Sequence, residues 1–331
     1  MWDKLIRRLR ANWFAHWHPD LDAALGLLPA TSLCPHDLYR ELCTARGPLR
    51  KRIAMVTERD LPVAVIGLRR DPKRWAPVTT WMIPGAVFPV EDRDLVRALV
   101  ALGPMDAPLY VGWWRRGTPP PASYRLNVEA VPTFRLDCTG DYEAYWCQSG
   151  LMSDVKRARK RCARLSLEFN RPGAAEWTIK NWGRKWAQDG TKELAETGDK
   201  LIVARYWEAR GRHITASLLD GDKLIASDTS LVHQGDVVGL THYREPGYEK
   251  LGAGNRLLDA VTQWAAAGGL RKHDFGGGFA YKSRWAPEDG VRWHFTLNPG
   301  LIDLSAIRAL GRLQVRRLID RVVPPGSSEK A

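Results

Sequence analysis

Apolar and polar positions alternate along two parts of this chain and follow helical spacing through most of the rest. Ile53-Ala54-Met55-Val56 and Val63-Ala64-Val65-Ile66 flank the turn Glu58-Arg59-Asp60, which predicts a hairpin within a strand-rich region at 51–90. Strands are also predicted at 213–219, 223–232 and 236–243. Asp220-Gly221-Asp222 joins the first pair and Gln234-Gly235 the second. Leu95, Val96, Leu99 and Val100 predict a helix, followed by the short strand Leu109-Tyr110-Val111. Val155, Ala158, Cys162 and Leu165 form the apolar stripe of a long helix predicted over 141–167, and a second helix is predicted over 174–196. Leu257, Leu258, Val261 and Trp264 mark a helix that runs into a strand at Lys272-His273-Asp274-Phe275. At the N-terminus, Leu5, Ile6, Leu9, Trp13 and Trp17 sit at helical spacing, so 1–18 is read as a docked helix. A last helix is predicted over 304–322, with the tail beyond it frayed.

These elements recur in order. Strand, turn, strand, helix and strand occur near 51–112 and again near 213–276, so the chain reads as two topologically related halves. The expected division is 1–140, 141–303 and a basic terminal piece, 304–331. The loop Gly117-Thr118-Pro119-Pro120-Pro121-Ala122-Ser123 punctuates the first half.

Composition narrows the function classes. The 331 residues suffice for two ordinary domains, and no apolar run is long enough for a membrane helix. Met1-Trp2-Asp3-Lys4 opens no signal-peptide core, so a cytoplasmic protein is expected. Five cysteines, an odd number without a Cys-x-x-Cys, predict reduced and mostly buried thiols and no zinc site. A net charge of +13 favours anionic partners. Part of that charge is concentrated on Lys156, Arg157, Arg159, Lys160, Arg161 and Arg164, and part on Arg308, Arg312 and Arg316. Each row is either a solvated face or an anion-binding one. Fifteen tryptophans suit a groove lined by aromatic planes as well as a core.

The strongest local chemical signal is the junction Tyr248-Glu249-Lys250-Leu251-Gly252-Ala253-Gly254-Asn255, a Gly-x-Gly that opens a helix after a hairpin. First-turn N–H groups and the helix dipole favour an anion there. The first half has Phe88-Pro89-Val90-Glu91-Asp92-Arg93 where this junction would be.

On this arrangement the C-terminal half resembles the GNAT superfamily of N-acetyltransferases. That family holds the coenzyme A pyrophosphate on an Arg/Gln-x-x-Gly-x-Gly/Ala loop; here the loop reads Glu249-Lys250-Leu251-Gly252-Ala253-Gly254, with Glu at the first position and Lys250 beside it. Asp274-Phe275-Gly276-Gly277-Gly278-Phe279-Ala280-Tyr281-Lys282-Ser283-Arg284-Trp285 resembles a segment of the Fem-type (FemAB-like) peptidyltransferases and the related cellulose-biosynthesis-type acetyltransferases. The likeness covers about 141–286. It implies an α/β (α+β) fold of tandem GNAT-like halves, with mixed, mostly antiparallel sheets flanked by helices. It also implies an acyl donor held by Lys250, Leu251, Gly252, Ala253, Gly254 and Asn255. The strand 237–244 would present a backbone N–H to the thioester oxygen. Lys282 would stabilise the carbonyl oxygen or a donor phosphate, and Tyr281 would act as general acid.

Asp274 would orient an amine or Lys282, or would close an Asx-turn over the glycines. His242 and Glu245 are both candidate bases, but strand alternation puts them on opposite faces, so one cleft takes both only with a bulge. The resemblance therefore implies an acyltransferase moving an acetyl or other acyl group from acyl-CoA to an amine or hydroxyl of a small-molecule or envelope-related acceptor. The alternatives are an aminoacyl-tRNA-dependent Fem-type peptidyltransferase, with tRNA on the basic helices 151–165 and 304–322, and a non-catalytic protein binding RNA or a membrane surface on this scaffold.

Overall fold

The computed structural model describes residues 9–30, 33–46, 50–70, 74–78, 89–90, 95–102, 105–114, 125–188 and 194–297. In chain order the elements are β1 (Leu9–Phe14), α1 (Pro19–Leu27), α2 (His36–Thr44), β2 (Arg50–Glu58), β3 (Leu61–Arg70), β4 (Trp75–Pro77), α3 (Leu95–Ala101), β5 (Leu109–Trp114) and β6 (Arg125–Asp137). The order continues with α4 (Tyr142–Gln148), α5 (Met152–Arg161), β7 (Ser166–Phe169), α6 (Ala174–Gln188), α7 (Leu194–Glu208), β8 (His213–Asp220), β9 (Lys223–His233) and β10 (Asp236–Arg244). It closes with α8 (Ala253–Ala267), β11 (Lys272–Gly277) and β12 (Glu288–Leu297).

The described strands form one twelve-stranded sheet in the order β1-β2-β3-β4-β5-β12-β6-β11-β10-β9-β8-β7. Every neighbouring pair is antiparallel except β4 with β5 and β10 with β11. Each parallel pair is linked through a helix, α3 in one half and α8 in the other, because a parallel return needs a crossover. This is the repeat expected from the sequence. β6 comes before the expected boundary at 140/141 but pairs with β11 from beyond it. β12 comes near the end of the described chain and pairs with β5 from the first half. The two strands lie side by side and join the halves.

Local chemistry accounts for the hairpins. Arg59 (φ 53°) and Asp60 (φ 65°) make the tight turn between β2 and β3, and Gln234 and Gly235 make the one between β9 and β10. β8 and β9 are buried over most of their length on both faces, so they read as continuous apolar and small-polar runs. One core cluster lies against β2 and β3 and extends to Val203 and Trp207 of α7. A second lies beneath α8, around Leu257 and Val261. A third gathers Trp146, Phe275 and Trp285.

Three expectations are corrected. Residues 9–14 of the expected N-terminal helix are strand β1, paired along β2 from Leu9 opposite Glu58 to Phe14 opposite Ile53. The edge of β2 supplies hydrogen bonds that outweigh a helical spacing carried by few residues. The long helix over 141–167 is two helices and a strand. Gly150 adopts φ 72° and breaks it, and Asp141 caps α4 by accepting the Ala144 N–H at 3.0 Å. The helix expected over 174–196 ends as α6 at Gln188, and a separate α7 runs to Glu208. β6 and β12 were not foreseen. β6 carries Pro132, a residue that argues against an interior strand, beside an irregularity in its pairing with β12. Residues 1–8, the loop 117–123 and the helix expected at 304–322 lie outside the described residues. Among the described residues no helix is long and apolar enough to cross a membrane.

Candidate functional site

β10 and β11 pair only from Asp236 to Val238 against Lys272 to Asp274. Beyond that point they diverge. At the same level β10 shifts register against β9 between Gly239 and Thr241, and β11 shifts against β6 between Asp274 and Gly276. Two bulges at one level re-aim both strands. A cavity of about 600 Å³ occupies the opening. Its walls are Gly239 to Arg244 of β10 and Phe275 to Gly277 of β11, with Gly278 just beyond it. The face Trp182, Lys185 and Trp186 of α6 joins them, with Lys200 of α7. Tyr110, Glu129 and His294, on the strands where the halves meet, also line it.

Four of the sequence-predicted residues meet here: His242, Gly254, Tyr281 and Lys282. His242 is an exposed residue that lines this cleft. Burial, then the charges of Lys282, Lys185, Lys200 and Arg244, push its pKa down to about 4, so it is a neutral imidazole at pH 7. Tyr281 stands at the rim, and its phenol is raised by burial and by the nearby Asp228 carboxyl. Lys282 donates to the Gly277 carbonyl at 3.1 Å and lies 5.5 Å from the Phe279 ring centroid. His242 lines the cavity, whereas Glu245, one residue beyond the end of β10, stays out of its lining.

The glycine junction is a single 3₁₀ turn, Glu249–Leu251, followed by α8. Gly252 caps the helix with φ 71°, a left-handed conformation that favours glycine. A Cβ there would lie 3.3 Å from the Ala158 Cβ, so Gly252 also lets α5 approach α8. Gly254 faces open space on the cavity wall. By helix geometry the N–H groups of Ala253, Gly254 and Asn255 have no intrahelical acceptor. The carbonyls of Lys250 and Leu251 are already engaged, by Arg161 at 2.7 Å and by the Cys162 thiol at 3.6 Å. Glu249 departs from the family pattern, and its carboxylate is met by Arg244 at 3.1 Å and by the Gly247 N–H at 2.8 Å.

Asp274 is taken up internally. Its carboxylate meets Arg292 at 2.9 Å and Arg135 at 3.1 Å, and it accepts the Gly276 N–H at 2.7 Å across a residue with φ 72°. In the basic row on α5, Arg159 turns inward to Asp259 (2.6 Å) and Glu143 (3.1 Å), whereas Lys156, Lys160 and Arg164 are exposed.

One residue was missed that the geometry brings forward. Asp228, 4% exposed on β9, sits opposite His242 and lines the cavity. Burial raises its carboxyl to about 7, against a 2.9 Å hydrogen bond from Ser230 that lowers it. A charged residue at the centre of a buried strand was the available signal. Nothing local could have drawn Trp182, Lys185 and Trp186 to the same cavity. Among the described residues no cluster of His, Cys, Asp and Glu would hold a metal ion.

Comparisons with known proteins place these features. Residues 149–283 match the family model described as an acetyltransferase (GNAT) domain. No curated protein matches the chain. Among solved structures, the chain is similar to "L-PGS from Bacillus licheniformis" at 13% identity and a TM-score of 0.49, covering 89% of this chain and 96% of that one. It is similar to a "tandem GNAT protein from the clavulanic acid biosynthesis pathway" at 14% identity and 0.48, covering 89% and 100%. FemX is similar at 11% identity and 0.47, covering 91% and 99%. At these values the structural likenesses argue nothing about substrate. The family match spans the helix-opening glycines and the parting strands, so residues 149–283 form a GNAT-type acetyltransferase domain, which supports an acyltransferase.

Proposed function

We propose that the protein transfers an acyl group, acetyl in the simplest case, from acyl-CoA to an amine or hydroxyl of a small-molecule or envelope-related acceptor. One observation carries the reading: the opening between β10 and β11 runs to Gly254 at the start of α8, so a phosphate-binding helix end and a catalytic cleft share one cavity. In this reading the acceptor's lone pair attacks the thioester carbonyl and the C–S bond breaks. Lys282 offers charge to the developing oxyanion or to a donor phosphate. The proton leaving the nucleophile passes to Asp228, whose carboxyl titrates near neutrality, in preference to His242, a far weaker base at about 4. Tyr281 returns a proton to the thiolate. A coenzyme A donor and free thiols at all five cysteines fit a cytoplasmic enzyme.

The test is a thermal shift with acetyl-CoA on wild type and Gly254→Trp, whose side chain would fill the donor end from an open position. A shift that the variant loses, with unchanged circular dichroism, supports the reading. No shift, together with tRNA retained through purification, would replace it with the aminoacyl-tRNA-dependent reaction, for which the exposed Lys156, Lys160 and Arg164 speak.

A further inference from the structure

The cavity carries more positive charge than a thioester alone requires. Four cations act on the His242 ring: Lys282, Lys185, Lys200 and Arg244. Two of them are tied to the donor side. Arg244 pairs with Glu249 at the glycine junction, and Lys282 donates to Gly277. The other two come from the helix pair α6–α7, Lys185 from α6 and Lys200 from α7. Lys200 is 4% exposed, stacks 3.9 Å from the Trp182 ring centroid and donates to the Leu240 carbonyl at 3.3 Å. Lys185 is exposed; its ammonium lies 5.9 Å from the Trp186 ring centroid and meets no carboxylate among the described residues.

Trp182, Lys185 and Trp186 stand at i, i+3 and i+4, so one helix face presents two indoles and an ammonium together. The acidic groups of the lining do not balance this side. Asp228 is held toward its neutral form by burial, and Glu129 stands on β6 opposite His294 of β12, not on the α6–α7 pair. A wall that sets an exposed ammonium beside a buried one is complementary to an anion, which such a pair meets through charge-assisted hydrogen bonds.

We propose that the acceptor is itself anionic, bearing a carboxylate or phosphate close to its nucleophilic amine or hydroxyl. Lys185, backed by Lys200, seats that anion on α6, and the Trp182 and Trp186 planes flank the carbon frame. The proposal rests on the acyl-transfer reading, with the nucleophile directed at the opening between β10 and β11 and the anion directed away from it.

Matched amines test the charge and its chemistry. Ethanolamine is compared with O-phosphoethanolamine, and β-alaninamide with β-alanine, following thiol release from acetyl-CoA with the full chain. The anionic member of at least one pair is expected to have a kcat/KM on the order of tenfold higher, and the pair that responds separates phosphate from carboxylate. Lys185→Met should erase the preference and Lys185→Glu reverse it, while the KM for acetyl-CoA stays within about twofold. Calorimetric titration of the same amines without donor gives a second readout independent of turnover. Binding of an anionic member that Lys185→Glu abolishes supports the subsite even if no thiol is released, in which case the acyl-transfer reading fails alone. Equal binding within both pairs, no binding by any anionic member, or a preference indifferent to Lys185 would overturn the proposal.

Discussion

Asp228 is expensive to keep where it is: a carboxyl 4% exposed on a buried strand, raised from an ordinary 3.8 to about 7. Two outcomes follow. Asp228→Asn preserves shape and the Ser230 contact, and should lower kcat at least a hundredfold as a lost general base does. The wild-type rate should rise with pH through about 7, and the residual rate of the variant should not. Stability moves the other way. With the folded pKa above the unfolded one, the native state binds the extra proton between about 4 and 7, so Asp228 lowers stability as pH rises through that window. Urea unfolding at pH 8 should find Asp228→Asn more stable than wild type, with the difference vanishing near pH 4. Asp274 makes a contrast. Asp274→Ala would remove the carboxylate that Arg292, only 1% exposed at its side chain, meets at 2.9 Å, and should cost about 3–5 kcal/mol in thermal unfolding. A normally stable but inactive Asp274→Ala would return it to the chemistry instead.

At the scale of elements, the start of α8 separates two glycines that look alike in sequence. Gly252→Ala meets both φ 71° and Ala158 at 3.3 Å, and should destabilise by about 1–3 kcal/mol. Gly254→Ala adds a methyl to open space in a helix, and should stabilise by roughly 0.5–1 kcal/mol. Urea midpoints of the two variants decide this. The same junction shows what the sequence made legible. The hairpins β2–β3, β8–β9 and β9–β10 and helix α8 were readable because turn residues and apolar spacing are local properties. So was the likeness around Gly252 and Lys282, a contiguous motif. β1 was unreadable because its partner β2 decides its state. Asp228 was visible as a misfit, but its meaning depended on His242 across the strand pair. The α6 face with Trp182 and Lys185 acquires a role only once α6 is laid over β10.

The whole molecule shows its burial through its histidines. His213, His242, His273 and His294 are all pushed down to about 4 from 6.5, chiefly by burial. Each binds its proton more readily in the unfolded chain between pH 6.5 and about 4, so each loses stability as pH falls through that range. Asp228 and Asp199, both raised by burial, oppose them, but the imidazoles number four against two carboxyls. Unfolding free energy should therefore fall on acidification from pH 6.5 to 4; a rise would mean that the carboxyls dominate. The exchange of β6 and β12 bears on how the protein comes to exist at all. A nascent chain leaving the ribosome has β5 and β6 in hand long before β12 is made, and these two are not neighbours in the finished sheet. The first half must wait with an open edge while about half the protein is still to be translated, an interval in which exposed strands invite the wrong partners. The yield of folded protein is therefore expected to depend on how long that edge stays open, a property set by the chain's order and not by any residue of the cavity.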